Sequence, residues 1–579
     1  MPPKRTASPA KRPSKRLRSA GGIGAYNPEL DGTARLVQAA ALQERAGGGQ
    51  SYLAVKPQRQ GVQSLKLAAL EVAAEALYNE VRLPSRGSEA GGAVGGVSQK
   101  QLVGWDPSRD PARGEETKHL RAYLESLPVE LTNLLLRRVL DRTATASDEP
   151  GDPGVAVLAL SALFFHRATT RLSLSSLTAP AVLISKIPQC TALVDLDLAL
   201  TTNLADKVLA KVLAQLTSLE RINLKGCTKV GDASLIALSK ATEDRLKVAN
   251  LSLTASTVKG LTSLLARCKN LEVLKLASVA QLNEKNVSKL VNDATDAALG
   301  WRHIPLSRLR TLKLRSTDIT DGAIGRLLTL CGLTLTRLDI SNTALKSLDF
   351  VSSALHALPV WKLEKLVASG LPLSPATLEG FFRPLSERPQ DERRRFRVLK
   401  LGSIPCTSTK QPGLTDAVLA RLMPFLEKLD GIEVVSFFQN WALGKSEEPL
   451  RRFIEVIGRR CIYLDLTLPV ESWHLEPLLP PLTDDVSPED VPYEPPRLQA
   501  LVLDSSRITD DAAGPISACR DLRALHVAET RISTKFLATV LNSCPHLSSL
   551  NLTSCRGIPV TQRRTFFEAW EKGEVVVGP

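Results

Sequence analysis

Nine cysteines, seven histidines and the closely spaced pair Asp195 and Asp197 are the groups in this 579-residue chain whose types could do chemistry. Thiolates ligate zinc or attack carbonyl carbon. A structural zinc site needs about four donors, usually with a Cys-x-x-Cys turn, and no such turn occurs. The stretch CPHLSSLNLTSC (Cys544–Cys555) has a cysteine at each end. CKNLEVLKLASV, from Cys268, has the same spacing, but Val279 stands at the closing position. A ligand pair with one member missing holds nothing, whereas a repeated packing position tolerates the exchange. Cys190, Cys268, Cys519 and Cys544 each precede a leucine at the same interval, and Cys227 and Cys555 each follow one. They read as packed thiols. An odd number of dispersed cysteines also points to a reducing compartment.

The remaining candidates are weaker. His526 and His546 are scattered polar positions rather than a base and its partner. Asp195 and Asp197 alternate along one strand and face solvent together, which suits contact with a ligand better than acid–base work. No phosphate-binding G-x-x-x-x-G-K-[ST], no G-x-S-x-G and no H-E-x-x-H is present, and GGAVGG (Gly91–Gly96) follows no strand. No enzyme activity, cofactor or metal is therefore expected.

The cysteines are in phase because the leucines are. Leu-x-x-Leu-x-Leu recurs with its second apolar residue at Leu172, Leu196, Ile222, Leu251, Leu274, Leu312, Leu338, Leu366, Leu399, Val435, Leu464, Leu501, Leu525 and Leu550. The shorter steps cluster near two dozen residues, the period of a solenoid. Each unit predicts a short strand with leucines alternating inward, then a turn, then an amphipathic helix. ITD at Ile319–Asp321 and Ile508–Asp510, LTD at Leu414–Asp416 and IST at Ile532–Thr534 mark helix starts, where a side-chain oxygen caps the first free amides. One unit cannot hide its apolar face, so units must stack.

LERINLKGCTKVGDASLIALSKA (Leu219–Ala241) and LQALVLDSSRITDDAAGPISACRDL (Leu498–Leu522) resemble the cysteine-containing, RNI-like leucine-rich repeats. That family includes F-box and related ubiquitin-ligase substrate receptors, nucleotide-excision-repair subunits and mitotic-exit regulators. The resemblance implies an α/β solenoid with a curved parallel sheet on the concave side and helices on the convex side. It also implies a non-catalytic scaffold.

The expected organisation is a basic, disordered tail over 1–60, a helical cap or adaptor-docking region over 61–167, the solenoid over 168–556, and a C-terminal cap over 557–579. Charged residues 383–397 and the proline-rich, acidic 474–497 read as insertions. In the second region, helices are predicted over Ser64–Val81 and Lys118–Arg142, the latter broken at Leu127-Pro128. LPVELTNLLLRRVL (Leu127–Leu140) resembles the opening of an F-box, and Ser64-Leu65 with Ala69 loosely resembles an elongin-binding box. These likenesses imply an Skp- or elongin-type adaptor with a cullin, docked on Leu127, Pro128, Leu131, Leu134 and Leu135. The same helices could simply cover the first repeat.

Positions flanking the central leucine face the concave side. There Lys275, Arg310, Lys313, Arg337, Lys365 and Lys400 form a basic stripe interleaved with Glu272, Asp339 and Glu364. It would suit an acidic or phosphorylated peptide, or a nucleic-acid backbone. The net charge is +14, and half of it comes from Lys4, Arg5, Lys11, Arg12, Lys15, Arg16 and Arg18. That cluster resembles a bipartite nuclear-import signal and could also meet nucleic-acid phosphates. The start carries no apolar run of a secretory leader, and no segment is apolar enough to span a membrane. The leading expectation is a substrate-recognition subunit of a cullin-type ubiquitin ligase, in the nucleus with the cytoplasm as a second location. The alternative is a chromatin or DNA-repair scaffold.

Overall fold

The computed structural model describes residues 53–55, 69–70, 72–77, 114–145, 163–175, 181–300, 305–331, 334–406, 413–480 and 494–572. They contain fifteen three-residue strands in one sheet. After β1 (Leu53–Val55) come β2 (Arg171–Ser173), β3 (Asp195–Asp197), β4 (Arg221–Asn223), β5 (Val248–Asn250), β6 (Val273–Lys275), β7 (Thr311–Lys313) and β8 (Arg337–Asp339). The series continues with β9 (Lys365–Val367), β10 (Val398–Lys400), β11 (Val434–Ser436), β12 (Tyr463–Asp465), β13 (Ala500–Val502), β14 (Ala524–His526) and β15 (Ser549–Asn551). β2 to β15 pair in parallel, each with its sequence neighbour.

The register carries the leucine series with one correction. Ile222 pairs with Ala249, and Ala249 with Leu274, so the central residue of β5 is Ala249 rather than Leu251. Leu251 lies two residues further on, on the same side of the pleat, and is equally buried. An alignment built on leucines slips there by one alternation.

Four residues after the central position the chain turns through the left-handed region, at Leu200, Gly226, Leu253, Ser278, Ser316, Asn342, Gly370, Ser403, Gln439, Ser505, Glu529 and Ser554. Only two of these are glycine, so the others carry roughly 1–2 kcal/mol of strain each. Stacking offsets it: the Leu200 amide donates to Lys225 O at 2.7 Å, and the Leu253 amide to Ala277 O at 2.8 Å. At Gly370 a Cβ would run into the Asn342 side chain.

The helix starts show a device that the repeat pattern alone conceals. Thr257, Ser374, Thr415 and Ser533 cap their own helices. The aspartates of the ITD type instead reach into the next repeat. Asp206 accepts from the Gly231, Ala233 and Ser234 amides, Asp232 from Thr257 and Gly260, and Asp321 from Lys346 and Ser347. Asp416 accepts from Gly444, Lys445 and Ser446, and Asp510 from Ser533. Burial opposes the Asp206 charge, but the Ser234 hydroxyl and three amides outweigh it and hold its carboxyl below the usual range.

Residues 383–397 do not loop away from the stack. They finish the helix Pro375–Ser386 and form a further short helix, Gln390–Arg393. Arg388 donates to the carbonyls of His356 and Leu358, and Glu392 accepts from the Trp361 amide at 2.8 Å. Of 474–497, the 3-10 helix Ser472–Leu478 buries His474, and 481–493 lie outside the described residues.

Both ends of the stack are covered. Helices Gly114–Ser126 and Val129–Thr145 bury Leu124, Leu135, Leu136, Val139 and Leu140 in the same continuous core as Leu163, Phe164, Phe165 and the first repeat. Residues within 69–77 are helical and bury Ala74 and Leu77 in it too. At the far end, helix Val560–Lys572 buries Phe566 and Trp570, while Arg563 donates to the carbonyls of Ile558, Leu552 and Cys555. β1, which the sequence assigns to the tail, pairs antiparallel with β15 and occupies the last open edge.

Candidate binding face

Side chains on either side of each central residue, and three positions beyond it, line the concave sheet. Following the strand order, Asp195 and Asp197 come first. Neither stands alone: Arg221 pairs with Asp195 at 2.9 Å, while Ser173 and the Ala199 amide hydrogen-bond to Asp197. Burial raises the Asp197 carboxyl above its usual range against those hydrogen bonds, and Asp195 adds to the rise. The pair is a structural ion-pair group, not a free acid–base couple.

The predicted cations do not all share one row. Lys275 and Lys313 are register partners, one residue after their central leucines, with Lys400 in the same row three strands on. Arg337 and Lys365 are partners in the row before the central residue. Arg310 precedes β7 altogether and lies exposed at the edge where the chain enters the strand, where its carbonyl accepts from Thr336 and Arg337. Acids accompany the group: Arg337 lies 3.9 Å from Glu364, and Asp339 is the register partner of Lys313. Lys400 sits 5.2 Å above the Tyr463 ring, a cation–π contact.

Beyond Tyr463 the face turns acidic, with Asp465, Asp504 and Glu529. The Ser436 hydroxyl donates to Asp465 at 2.7 Å, and the Ala528 amide to Asp504 at 2.7 Å. Burial first, with the charges of Asp465 and Glu529, pushes the Asp504 carboxyl up to about 6 against that amide. His526 Nδ1 lies 3.9 Å from Asp504, but burial holds its imidazole down to about 4. The sign for stability follows. The folded chain keeps the Asp504 proton that the unfolded chain has lost, so this contribution is full below about pH 4 and lost as pH rises through about 6. Asp504→Asn keeps an oxygen for the Ala528 amide and removes the charge. It is expected to gain about 1–3 kcal/mol at neutral pH and nothing near pH 3.5, read as urea midpoints at the two pH values. An equal shift at both would refute the assignment.

All the cysteines except the exposed Cys406 are buried. Cys227 Sγ donates to Leu198 O and Cys555 Sγ to Val527 O, both at 3.0 Å. These thiols reach the preceding repeat; at the same repeat position the hydroxyls of Thr254, Thr317 and Thr530 donate at 2.7 Å to the carbonyl three residues earlier in their own repeat. Burial raises the thiols of Cys227 and Cys544 to about 11 and those of Cys268, Cys331 and Cys461 to about 12. Among the described residues no group of His, Cys, Asp and Glu is placed to hold a metal, and no helix is long and apolar enough to cross a membrane.

The decisive feature is the whole row: fourteen parallel strands in leucine register, twelve of them followed by the same left-handed turn, a buried carbonyl-bonding Cys, Thr or Asn in several repeats, and in most a helix. The fold is a leucine-rich-repeat solenoid. No family model matches this sequence, and no curated protein does. Among solved structures it is similar to a chain of the Rad7–Elc1 complex of yeast, at 15% identity over 87% of this chain and 96% of that one, with a TM-score of 0.45. It is also similar to an internalin, inlF, from Listeria monocytogenes, at 11% over 78% and 92%, with a TM-score of 0.32. A TLR13–ssRNA13 complex matches at 15% over 73% and 55%, with a TM-score of 0.30. None of these likenesses carries an argument about what this solenoid binds.

The predicted docking residues divide by face. Leu135 is sealed in the core, Leu127 and Leu131 are half-buried, and Pro128 and Leu134 are exposed, Leu134 at 43%. Lys4, Arg5, Lys11, Arg12, Lys15, Arg16 and Arg18 lie outside the described residues.

Proposed function

We propose that this solenoid is the substrate-recognition subunit of a cullin-type ubiquitin ligase in the nucleus. The concave face holds the substrate, and the helices ahead of β2 hold an Skp- or elongin-type adaptor. The observation that carries the reading is the two-faced helix Val129–Thr145. Its Leu135, Leu136, Val139 and Leu140 close the first repeat, while Leu134 and the half-buried Leu131 leave an apolar strip outside beside Pro128. A cap alone requires only the inner face. The outer strip is the kind of apolar helix face that a partner's groove covers.

Deleting 60–142 would expose the first repeat, so a point variant is the cleaner probe. Leu134→Arg is expected to keep the melting temperature and to remove adaptor and cullin from material purified with the tagged full-length chain. The reading fails if the parent chain recovers no Skp, elongin or cullin, or if Leu134→Arg recovers them undiminished. The chromatin alternative draws on the Lys4–Arg18 run. The concave face interleaves acids with its bases, and that pattern does not favour it.

A further inference from the structure

The basic run Lys4–Arg18 is a sequence feature that the solenoid itself does not employ. It carries seven cations and no acid. β1 fixes the point from which it reaches the rest of the chain. β15 runs from Ser549 to Asn551, and β1 pairs with it in the opposite sense, Leu53 against Asn551 and Val55 against Ser549. The chain before Leu53 therefore arrives at the ends where the strands exit into their left-handed turns. About 35 residues separate Arg18 from Leu53, a reach of up to about 115 Å.

The strand-exit edge next to β1 is acidic. Asp504 follows β13 and Glu529 follows β14, just beyond the strand ends. They are held side by side. The Ala528 amide donates to Asp504 and the Ser505 hydroxyl to Glu529, each at 2.7 Å, and the Ser505 amide donates to Ala528 O at 2.8 Å. Asp465, the register partner of Val502, lies beside them. Among the described residues none of the three has a lysine or arginine partner. His526 lies 3.9 Å from Asp504, and Arg507 turns to Glu471 at 3.5 Å. β13 is two strands from β15, about 10 Å of sheet. The same edge continues to Phe438 and Trp441, 38% and 49% exposed. The Gln439 amide, bonded to Thr467 O at 2.7 Å, sets Phe438 on the side of the acids. Exposed rings near carboxylates suit lysine and arginine, whose cations sit over ring faces and whose stems cover apolar surface.

We propose that Lys4–Arg18 docks on this edge of its own chain, its cations on Glu529 and Asp504 and against Phe438 and Trp441. β1 favours this occupant over a foreign basic segment. It delivers the run to the acidic end and makes the encounter intramolecular, so contacts that are weak one by one suffice. While docked, the run is withdrawn from nucleic-acid phosphates and covers the last repeats of the concave face. The proposal does not depend on which adaptor the other end holds.

The test uses the full-length parent and a full-length tail variant whose seven cations are replaced by glutamine. A fluorescein-labelled peptide of residues 1–20 is titrated into each at low salt and read by anisotropy. The tail variant is expected to bind it at least about fivefold tighter than the parent, whose own tail occupies the edge. In the tail variant, Asp504→Asn/Glu529→Gln is expected to weaken binding at least about fivefold, and Phe438→Ala/Trp441→Ala to weaken it as well. Asp318→Asn, on the same edge at β7, should leave it unchanged. The acid variant keeps the oxygens that Ala528 and Ser505 bond, so its melting temperature should not fall. In a mixture of isotope-labelled and unlabelled parent, carbodiimide coupling of tail lysines to Asp504 or Glu529 should link peptides of one isotope only. Equal binding by parent and tail variant, or binding that the acid variant leaves intact, overturns the site. Linked peptides of mixed isotope overturn the intramolecular contact and assign the edge to a second copy.

Discussion

Replacing Asp416 with alanine is expected to cost about 3 kcal/mol and to loosen the stack at one joint. The carboxylate is buried and accepts from three consecutive amides of the next repeat, Gly444 at 2.8 Å, Lys445 at 2.9 Å and Ser446 at 3.0 Å. Alanine leaves the buried Gly444 amide without an acceptor and hands the part-buried Lys445 and Ser446 amides to water, and a lost buried partner costs about 1–3 kcal/mol before relaxation. Repeats touch only their neighbours, so the damage should be local. Hydrogen exchange should rise at 444–446 and along Glu447–Val456, while β3 to β7 stay protected. Urea unfolding should broaden toward two steps. Asp416→Asn keeps one oxygen and should fall between alanine and the parent. Unchanged exchange at 444–446 would show that the cross-repeat bonds contribute nothing.

Phe381→Ala is expected to cost about 3–5 kcal/mol. The ring is fully buried, 5.2 Å from Phe382 and 5.9 Å from Trp361, both edge-on, with His356 at 6.1 Å. Phe396 extends the cluster from Phe382 at 6.5 Å. In a chain with 4% aromatic residues, this is a local concentration, and it lies under the helix that residues 383–397 complete. The truncation leaves a large cavity, and the Trp361 indole, bonded to Leu363 O at 2.9 Å, cannot swing in without losing that partner. The denaturation midpoint should fall, and Trp361 fluorescence should shift to longer wavelength ahead of the global transition. A loss under about 1 kcal/mol would mean that the cluster collapses around the gap.

Leu134→Arg and Phe381→Ala also separate the two kinds of apolar residue that one helical pattern can hide. Periodicity marks Leu131, Leu134 and Leu135 alike, since all fall within one broad apolar arc. Which of them meets the first repeat depends on where Leu163, Phe164 and Phe165 arrive.

The amino-acid sequence by itself determined the strand phase, the parallel stack, the buried thiols and the absence of familiar catalytic motifs. Each of these is written within one repeat, as inward alternation, helix period and spacing. The tertiary structure alone decided what passes between repeats. Ala249 takes the central place in β5 because register is a property of pairs of strands. Asp206, Asp321 and Asp416 serve the following helix because stacking brings its free amides within reach. Leu53–Val55 closes the edge at β15, almost the full length of the chain away, and no local pattern encodes a pairing at that distance.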